Sequence, residues 1–325
     1  MAKRSKTLLR KFILIVVLVN VVCVTGLCLQ RKKPPKPQRV NTMQKTAAAK
    51  MPKAQKIPKP GIDIEAVGAL PDSAKKNGYD AVEVWECLRS GNISPLGKDE
   101  ARNIPGTKTV FLTFDDGPST TNTPQILDIL KKYDVKATFC ILGEQVNSER
   151  TKELLKREFA EGHAIANHTY SHNYDYLYPK PERNVNLENF KADLKKTDDV
   201  FKEVIGPKFS TRVVRCPGGM MSWNNMEPLK EYLKTNNMAS IDWNALTGDA
   251  EGKRKNAQEL LEYMKKELAP YITKSVDASG NEVKELPGLV VLLMHDTYGK
   301  EETVKALPSV IEYFRDHGFE FKILV

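Results

Sequence analysis

The sequence predicts an α/β domain built on parallel strands, carried on an N-terminal membrane anchor and an unstructured linker. Three observations carry this expectation. From Thr109 onward, seven strand-like runs alternate with six charge-laced helical stretches. That alternation is the pattern of parallel strands joined by crossover helices, in a barrel or a doubly wound sheet. Polar clusters fall where several of the strands end, as in barrel enzymes that assemble their sites from strand C-terminal ends. Residues 1–60 show no such alternation and hold instead one apolar run and a Lys- and Pro-rich stretch.

The chain has 325 residues and a formal net charge of +9. Residues 1–60 contain 15 Lys and Arg and no Asp or Glu, which leaves 35 basic and 41 acidic residues beyond them. The remainder is therefore mildly acidic, and the high overall charge is no argument for nucleic acid binding. Residues 1–11 form a basic tail with Lys3, Arg4, Lys6, Arg10 and Lys11. Residues 12–29, Phe12 to Leu29, are apolar apart from Asn20 and Thr25, long enough to reach across a bilayer core. The basic residues ahead of them favour a cytoplasmic N-terminus. With no small-x-small cleavage site, the run reads as an uncleaved signal anchor; a cleaved signal peptide, giving a secreted form, is the alternative. Residues 30–60 cannot bury enough surface to fold, and read as an extended tether able to run over an anionic cell wall. Of the five cysteines, Cys23 and Cys28 lie in the anchor, and Cys87, Cys140 and Cys216 form no disulfide framework.

Residues 61–105 are a short extension with one helix, Asp80 to Arg89, that packs Val82, Trp85 and Leu88 on the main domain. Residues 106–325 hold the alternating pattern. The strand-like runs are Thr109–Phe114, Ala137–Leu142, Ala164–Asn167, Arg212–Cys216, Ala239–Trp243, Leu289–Met294 and Phe319–Leu324. Each is short, apolar and bounded by turn residues. The helical stretches are 123–133, 148–160, 187–204, 226–236, 256–268 and 303–316. Pro270, Gly280 and Pro287 mark residues 270–287 as a surface loop or hairpin.

The first strand delivers Asp115 and Asp116 and stops at Gly117-Pro118. Adjacent residues leaving a strand point in different directions, so one carboxylate can bind a metal while its neighbour acts as a base. His168 and His172, four apart, can present both imidazoles on one face, as metal pairs do. A carboxylate and two His make a three-ligand site with open positions for water and substrate. Arg215 ends the fourth strand. His295 ends the buried run Val290–Met294.

These motifs resemble the polysaccharide deacetylase family, carbohydrate esterase family four, over roughly residues 106–325. Thr113-Phe114-Asp115-Asp116-Gly117-Pro118 matches the first motif and His168-Thr169-Tyr170-Ser171-His172 the second. Arg215-Cys216-Pro217-Gly218-Gly219 is similar to the third, and Leu293-Met294-His295 to the fifth. The resemblance implies a distorted (β/α) barrel. It implies that Asp116, His168 and His172 hold a divalent metal, Zn²⁺ first, with Co²⁺, Ni²⁺ or Fe²⁺ also suiting the donors. It gives Asp115 the role of general base, with Arg215 pairing to orient it. Gly218 would bring a backbone N–H to an oxyanion. His295 would be the general acid.

Two motifs depart from the family pattern. The third often has an aromatic residue where this chain has Gly218. The fourth, usually Asp-x-x-Asp-Trp, reads Leu246-Thr247-Gly248-Asp249-Ala250 and keeps only its second Asp. The literal pair Asp242-Trp243 lies inside the fifth strand-like run. Asp249 lies in a loop beyond it and is therefore the carboxylate expected beside His295. The activity implied is removal of N-acetyl groups from an extracellular polysaccharide, foremost peptidoglycan amino sugars. A chitin-like, poly-N-acetylglucosamine or acetylxylan polymer is the alternative substrate, and a catalytically inactive glycan-binding module the alternative class.

Overall fold

The structure, a computed structural model, describes residues 77–90, 108–276 and 279–325. The expected anchor at residues 12–29 and tether at 30–60 lie outside the described residues. Among the described residues no helix is long and apolar enough to cross a membrane.

In chain order, β1 (Gly78–Tyr79) and α1 (Ala81–Ser90) lead into β2 (Lys108–Asp115), α2 (Thr123–Lys132) and β3 (Thr138–Ile141). Next come α3 (Glu149–Ala160), β4 (Ala164–Asn167), the single turn α4 (Tyr174–Leu177) and α5 (Leu187–Val204). Then follow β5 (Val213–Val214), α6 (Glu227–Thr235), β6 (Ala239–Ser240), β7 (Ala245–Leu246) and α7 (Ala257–Leu268). A hairpin of β8 (Thr273–Val276) and β9 (Glu282–Glu285) precedes β10 (Leu289–His295), α8 (Glu301–Asp316) and β11 (Phe319–Leu324). The fifth and fourth strand-like runs shrink to two residues each. Beyond them the Arg215 N–H still donates to the Asn167 carbonyl at 2.9 Å and the Ile241 N–H to the Val214 carbonyl at 2.9 Å.

Strand β2 is the centre. One of its sides pairs along its length with β10, from Leu289↔Thr109 to His295↔Asp115. Its other side is shared: β11 takes Lys108–Phe111 and β3 takes Thr113–Asp115. From β3 the sheet continues through β4 and β5 to β6, β7 adds to β10, and β1 adds to β11. Every pairing in this nine-stranded sheet is parallel. Among the described strands, no pairing joins β6 to β7.

Both faces of β2 are covered, which is why Thr109–Phe114 reads as an almost continuous apolar run. Val110, Leu112 and Phe114 share one face with Val290, Leu292 and Met294 of β10. They pack against α2, α7 and α8 through Leu127, Met264, Leu307 and Phe314. Burying each such side chain contributes about 1.5–3 kcal/mol. Phe111 and Val291 face the other way, toward Val84 of α1 and Ile241. Parity then fixes the chemistry: Thr113 and Asp115 follow Phe111 onto this inner face, and His295 follows Val291. Residues 78–90 of the upstream extension are part of the same sheet, with Ala81 and Val84 buried and Val82, Trp85 and Leu88 partly buried against it.

Candidate functional site

The C-terminal ends of β2, β4, β5 and β10 bring the reactive side chains together. Asp115 is the last residue of β2, and its buried carboxylate meets the fully buried Arg215. Arg215 Nη1 donates to Asp115 Oδ1 at 3.0 Å and to Oδ2 at 2.9 Å, and its Nη2 donates to Thr113 Oγ1 at 3.2 Å. Its Nε donates to the Ile241 carbonyl. Arg215 is thus held at every corner, and its charge is matched by a carboxylate where an unpaired one would be costly.

Asp116 lies one residue beyond the strand, in the left-handed region at φ 69°. That conformation is sparsely populated for a residue with a Cβ and turns the carboxylate away from its neighbour. Gly117 is required next: a Cβ there would fall 2.2 Å from the carboxylate of the buried Asp296. Burial pushes the Asp296 carboxyl up to about 7, helped by the charge of Asp116 and opposed by the hydroxyl of Thr123, which donates to it.

Asp116 Oδ1 lies 3.2 Å from His168 Nε2 and 3.6 Å from His172 Nε2. The donor atoms of these three residues all fall within 4.8 Å of one another. The His168 Nδ1 lies 2.8 Å from the Arg215 carbonyl. A carbonyl only accepts, so Nδ1 carries a proton, and Nε2 is the atom that faces Asp116. Burial lowers the His172 pKa to about 4, reinforced by the charge of His168, so this ring is neutral at neutral pH. Burial opposes ionisation of Asp116, but the nearby imidazoles of His168, His172 and His295 outweigh it and hold the carboxyl well below its usual range. Asp116 Oδ1 is buried without a hydrogen-bond donor of good geometry among the described residues. One oxygen and two imidazole nitrogens converging on an orphaned carboxylate atom fit a divalent cation of borderline softness.

His295 stands opposite Asp115 across the β2–β10 ladder. Its Nδ1 is 2.9 Å from Asp249 Oδ1, and its backbone N–H donates to Asp249 Oδ2 at 2.8 Å. Thr303 Oγ1 donates to the same Oδ2 at 2.8 Å. The ring's other nitrogen, Nε2, lies 4.0 Å from Asp116 Oδ2. Burial works against the imidazolium, but the adjoining Asp249 carboxylate, with Asp115 and Asp116 beyond, lifts the His295 pKa to about 9. Asp242 has a different task. It accepts the N–H groups of Met220 (2.8 Å) and Met221 (3.2 Å) and so clips the loop that follows Gly218 and Gly219.

Gly218 has φ 75°, and a Cβ on it would meet the Trp223 ring at 3.1 Å and the Tyr174 hydroxyl at 3.4 Å. Trp223 donates from Nε1 to the Pro217 carbonyl at 2.7 Å and stacks on Tyr178 at 4.2 Å. Tyr174 in turn lies 5.0 Å from the ring of His172. The bare backbone of residue 218 is therefore flanked by aromatic rings that arrive from α4 and from Trp223.

A model of the polysaccharide deacetylase family matches residues 102–235. Two peptidoglycan-N-acetylglucosamine deacetylases of Bacillus cereus are 34% identical over 217 residues and 30% identical over 215 residues. The matches cover 66% of this chain in each case, and 66% and 68% of those proteins, so about two thirds of either relative is spanned. The structure of a Streptococcus mutans CE4 esterase superposes with a TM-score of 0.66 at 30% identity, covering 79% of this chain and 95% of that one. The chain belongs to the polysaccharide deacetylase family. It is a hydrolase with that family's α/β fold and parallel sheet.

In this polysaccharide deacetylase all eight residues singled out from the sequence lie at or beside one site. Ala250, where the family's fourth motif has Trp, is exposed. Reading the sequence missed Thr303, which donates to Asp249, Asp193, which accepts the Tyr170 and Ser171 N–H groups, and Asp296, which abuts Gly117. For Asp193 a signal exists: it is an acidic residue on the face of α5 that also buries Phe190, Leu194 and Phe201. His163 lies outside this site and packs in the core. Its Nδ1 accepts the Ala137 N–H at 3.1 Å, and burial drops its pKa to about 3.

Proposed function

We propose that this protein is a metal-dependent N-deacetylase of peptidoglycan amino sugars. The observation that carries the reading is the convergence of Asp116, His168 and His172 beside two separately buttressed groups, Asp115 with Arg215 and His295 with Asp249. Asp116, His168 and His172 would hold the ion, Zn²⁺ or another borderline divalent cation. When bound, such an ion supplies polarisation of an acetyl carbonyl and a water of lowered pKa.

Asp115 accepts a proton from the attacking water, and Arg215 keeps its carboxylate aimed. The water oxygen adds to the acetyl carbon, and the Gly218 N–H donates to the charge that develops on the carbonyl oxygen. His295, protonated and fixed by Asp249, gives its Nε2 proton to the amide nitrogen as the C–N bond breaks. Acetate leaves, and the sugar keeps a free amine. The Asp249 carboxylate, opposite in charge to the imidazolium, keeps His295 protonated up to about pH 9, which suits an acid working at neutral to mildly alkaline pH.

The remaining assignments rest on the sequence. Residues 1–11 are proposed as a cytoplasmic tail, 12–29 as a single-pass anchor, 30–60 as a tether over the anionic wall and 61–105 as an extension leading into the catalytic domain at 106–325. We read the sheet as the family's distorted barrel, interrupted between β6 and β7. The test is acetate release from peptidoglycan, chitooligosaccharide and acetylxylan, with metal analysis of the same sample. Release from peptidoglycan first, lost on chelation and restored by Zn²⁺, is the expected result. Bound metal without acetate release from any of the three would favour a glycan-binding module.

A further inference from the structure

We propose that Asp193, a helix residue outside every family motif, is the positioning residue that sets the spacing of His168 and His172. The inference rests on the metal reading above.

The two His lie on a loop with an unfavourable backbone. Thr169 at φ 66° and His172 at φ 49° are both in the left-handed region, which residues with a Cβ seldom adopt. Left alone, such a loop relaxes, and the imidazoles separate. It is held from two sides. Its carbonyls at Thr169 and Tyr170 accept the N–H groups of Gly143 and Glu144, each at 3.0 Å. Its N–H groups at Tyr170 and Ser171 donate to Asp193 Oδ2, at 3.1 and 2.9 Å. Ser171 Oγ donates to the same oxygen at 2.9 Å.

One carboxylate oxygen thus gathers three donors from Tyr170 and Ser171, two of the three residues between the ligands. Asp193 is only 6% exposed, so water cannot take over these bonds on equal terms. The same side of α5 fixes the strand end that precedes the loop. Asn167 Nδ2 donates to the Leu194 carbonyl and to Asp198 Oδ1, both at 2.9 Å, and Asn167 Oδ1 accepts the Thr169 N–H. A helix that begins 15 residues after His172 therefore determines where both imidazoles stand.

The test uses the full-length chain and measures Zn²⁺ and Co²⁺ affinity by competition with a chromogenic chelator, together with the Co²⁺ absorption spectrum. Asp193→Ala should weaken binding 10- to 100-fold, the usual loss when a group that orients metal ligands is removed. It should also alter the Co²⁺ bands, which report ligand geometry. Asp193→Asn keeps one acceptor oxygen and should lose less. Phe201→Leu, in the core of the same helix, should lower the melting temperature of the metal-free protein without changing affinity or spectrum. Affinity of Asp193→Ala within twofold of wild type overturns the inference, as does an equal loss in Phe201→Leu at matched melting temperature. If Asp193→Ala does not fold, an Asp193→Asn protein with wild-type affinity and spectrum overturns it. A wild-type protein that binds neither ion overturns the metal reading, and this inference with it.

Discussion

Asp115 and Asp116 are neighbours with different surroundings, and the difference predicts different losses. Both oxygens of Asp115 are occupied by Arg215, whereas Asp116 Oδ1 faces two imidazoles. His168→Ala or His172→Ala should therefore lose bound metal and activity together. Asp115→Asn should keep the metal and lower turnover by about 10²–10⁴, the range for a general base. Metal content per chain and acetate release on the same samples check this; equal metal loss in Asp115→Asn would refute the division. His295 predicts a pH effect. Its folded pKa, about 9, is above the unfolded value, so the His295–Asp249 pair stabilises the fold fully below pH 6.5 and loses that effect as pH rises through 9. Asp249→Asn removes the largest raising influence. The alkaline limb of the rate profile should then move to lower pH and the high-pH decline in melting temperature should flatten, whereas Asp242→Asn should move neither. The choice of Asp249 over Asp242 as the carboxylate beside His295 was legible because one lies in a loop and the other in a strand-like run. What Asp242 does instead, clipping Met220 and Met221, depends on how the loop after Gly218 and Gly219 folds back, which no periodicity announces.

At the scale of elements, the helices were legible nearly to the residue, because each carries both an apolar face and an end signal. Asn256 shows the signal most plainly. Its side chain accepts the Glu259 N–H, and Glu259 returns a bond to the Asn256 N–H. Asn256→Ala should destabilise the fold by about 1 kcal/mol, read from urea denaturation. Long buried strands were equally legible, since β10 is apolar from Leu289 to Met294. Leu292 sits there, fully buried between β2 and β7, and Leu292→Ala should cost about 2–5 kcal/mol by the same measurement. Two of the two-residue strands, β1 and β7, were not legible. β1 and β7 are too short to show a period, and they exist because a neighbouring strand has an edge to fill. Asp193 was only half legible: its place on the buried face of α5 marks it as unusual, but what it binds depends on a loop that only the fold brings to it.

For the whole molecule, the proposed anchor and tether predict that protease added to intact, wall-stripped cells releases the catalytic domain. The fragment should begin ahead of Gly78, because β1 is paired into the sheet and so resists cleavage. A domain protected in intact cells would overturn the proposed topology. The same strand has a consequence for how the protein is made. β1 pairs with β11, and the Ala81 and Val325 N–H groups donate to the Val325 and Tyr79 carbonyls. Translation at about 5–20 residues per second puts roughly 12–50 s between emergence of the two strands. During that interval the upstream strand has no partner, because β11 alone pairs with it. The lower half of β2 waits as well, with the place of β11 open beside Lys108–Phe111. The upstream strand emerges early and docks last, so a ribosome stalled before Phe319 leaves two unpaired strand edges exposed at once.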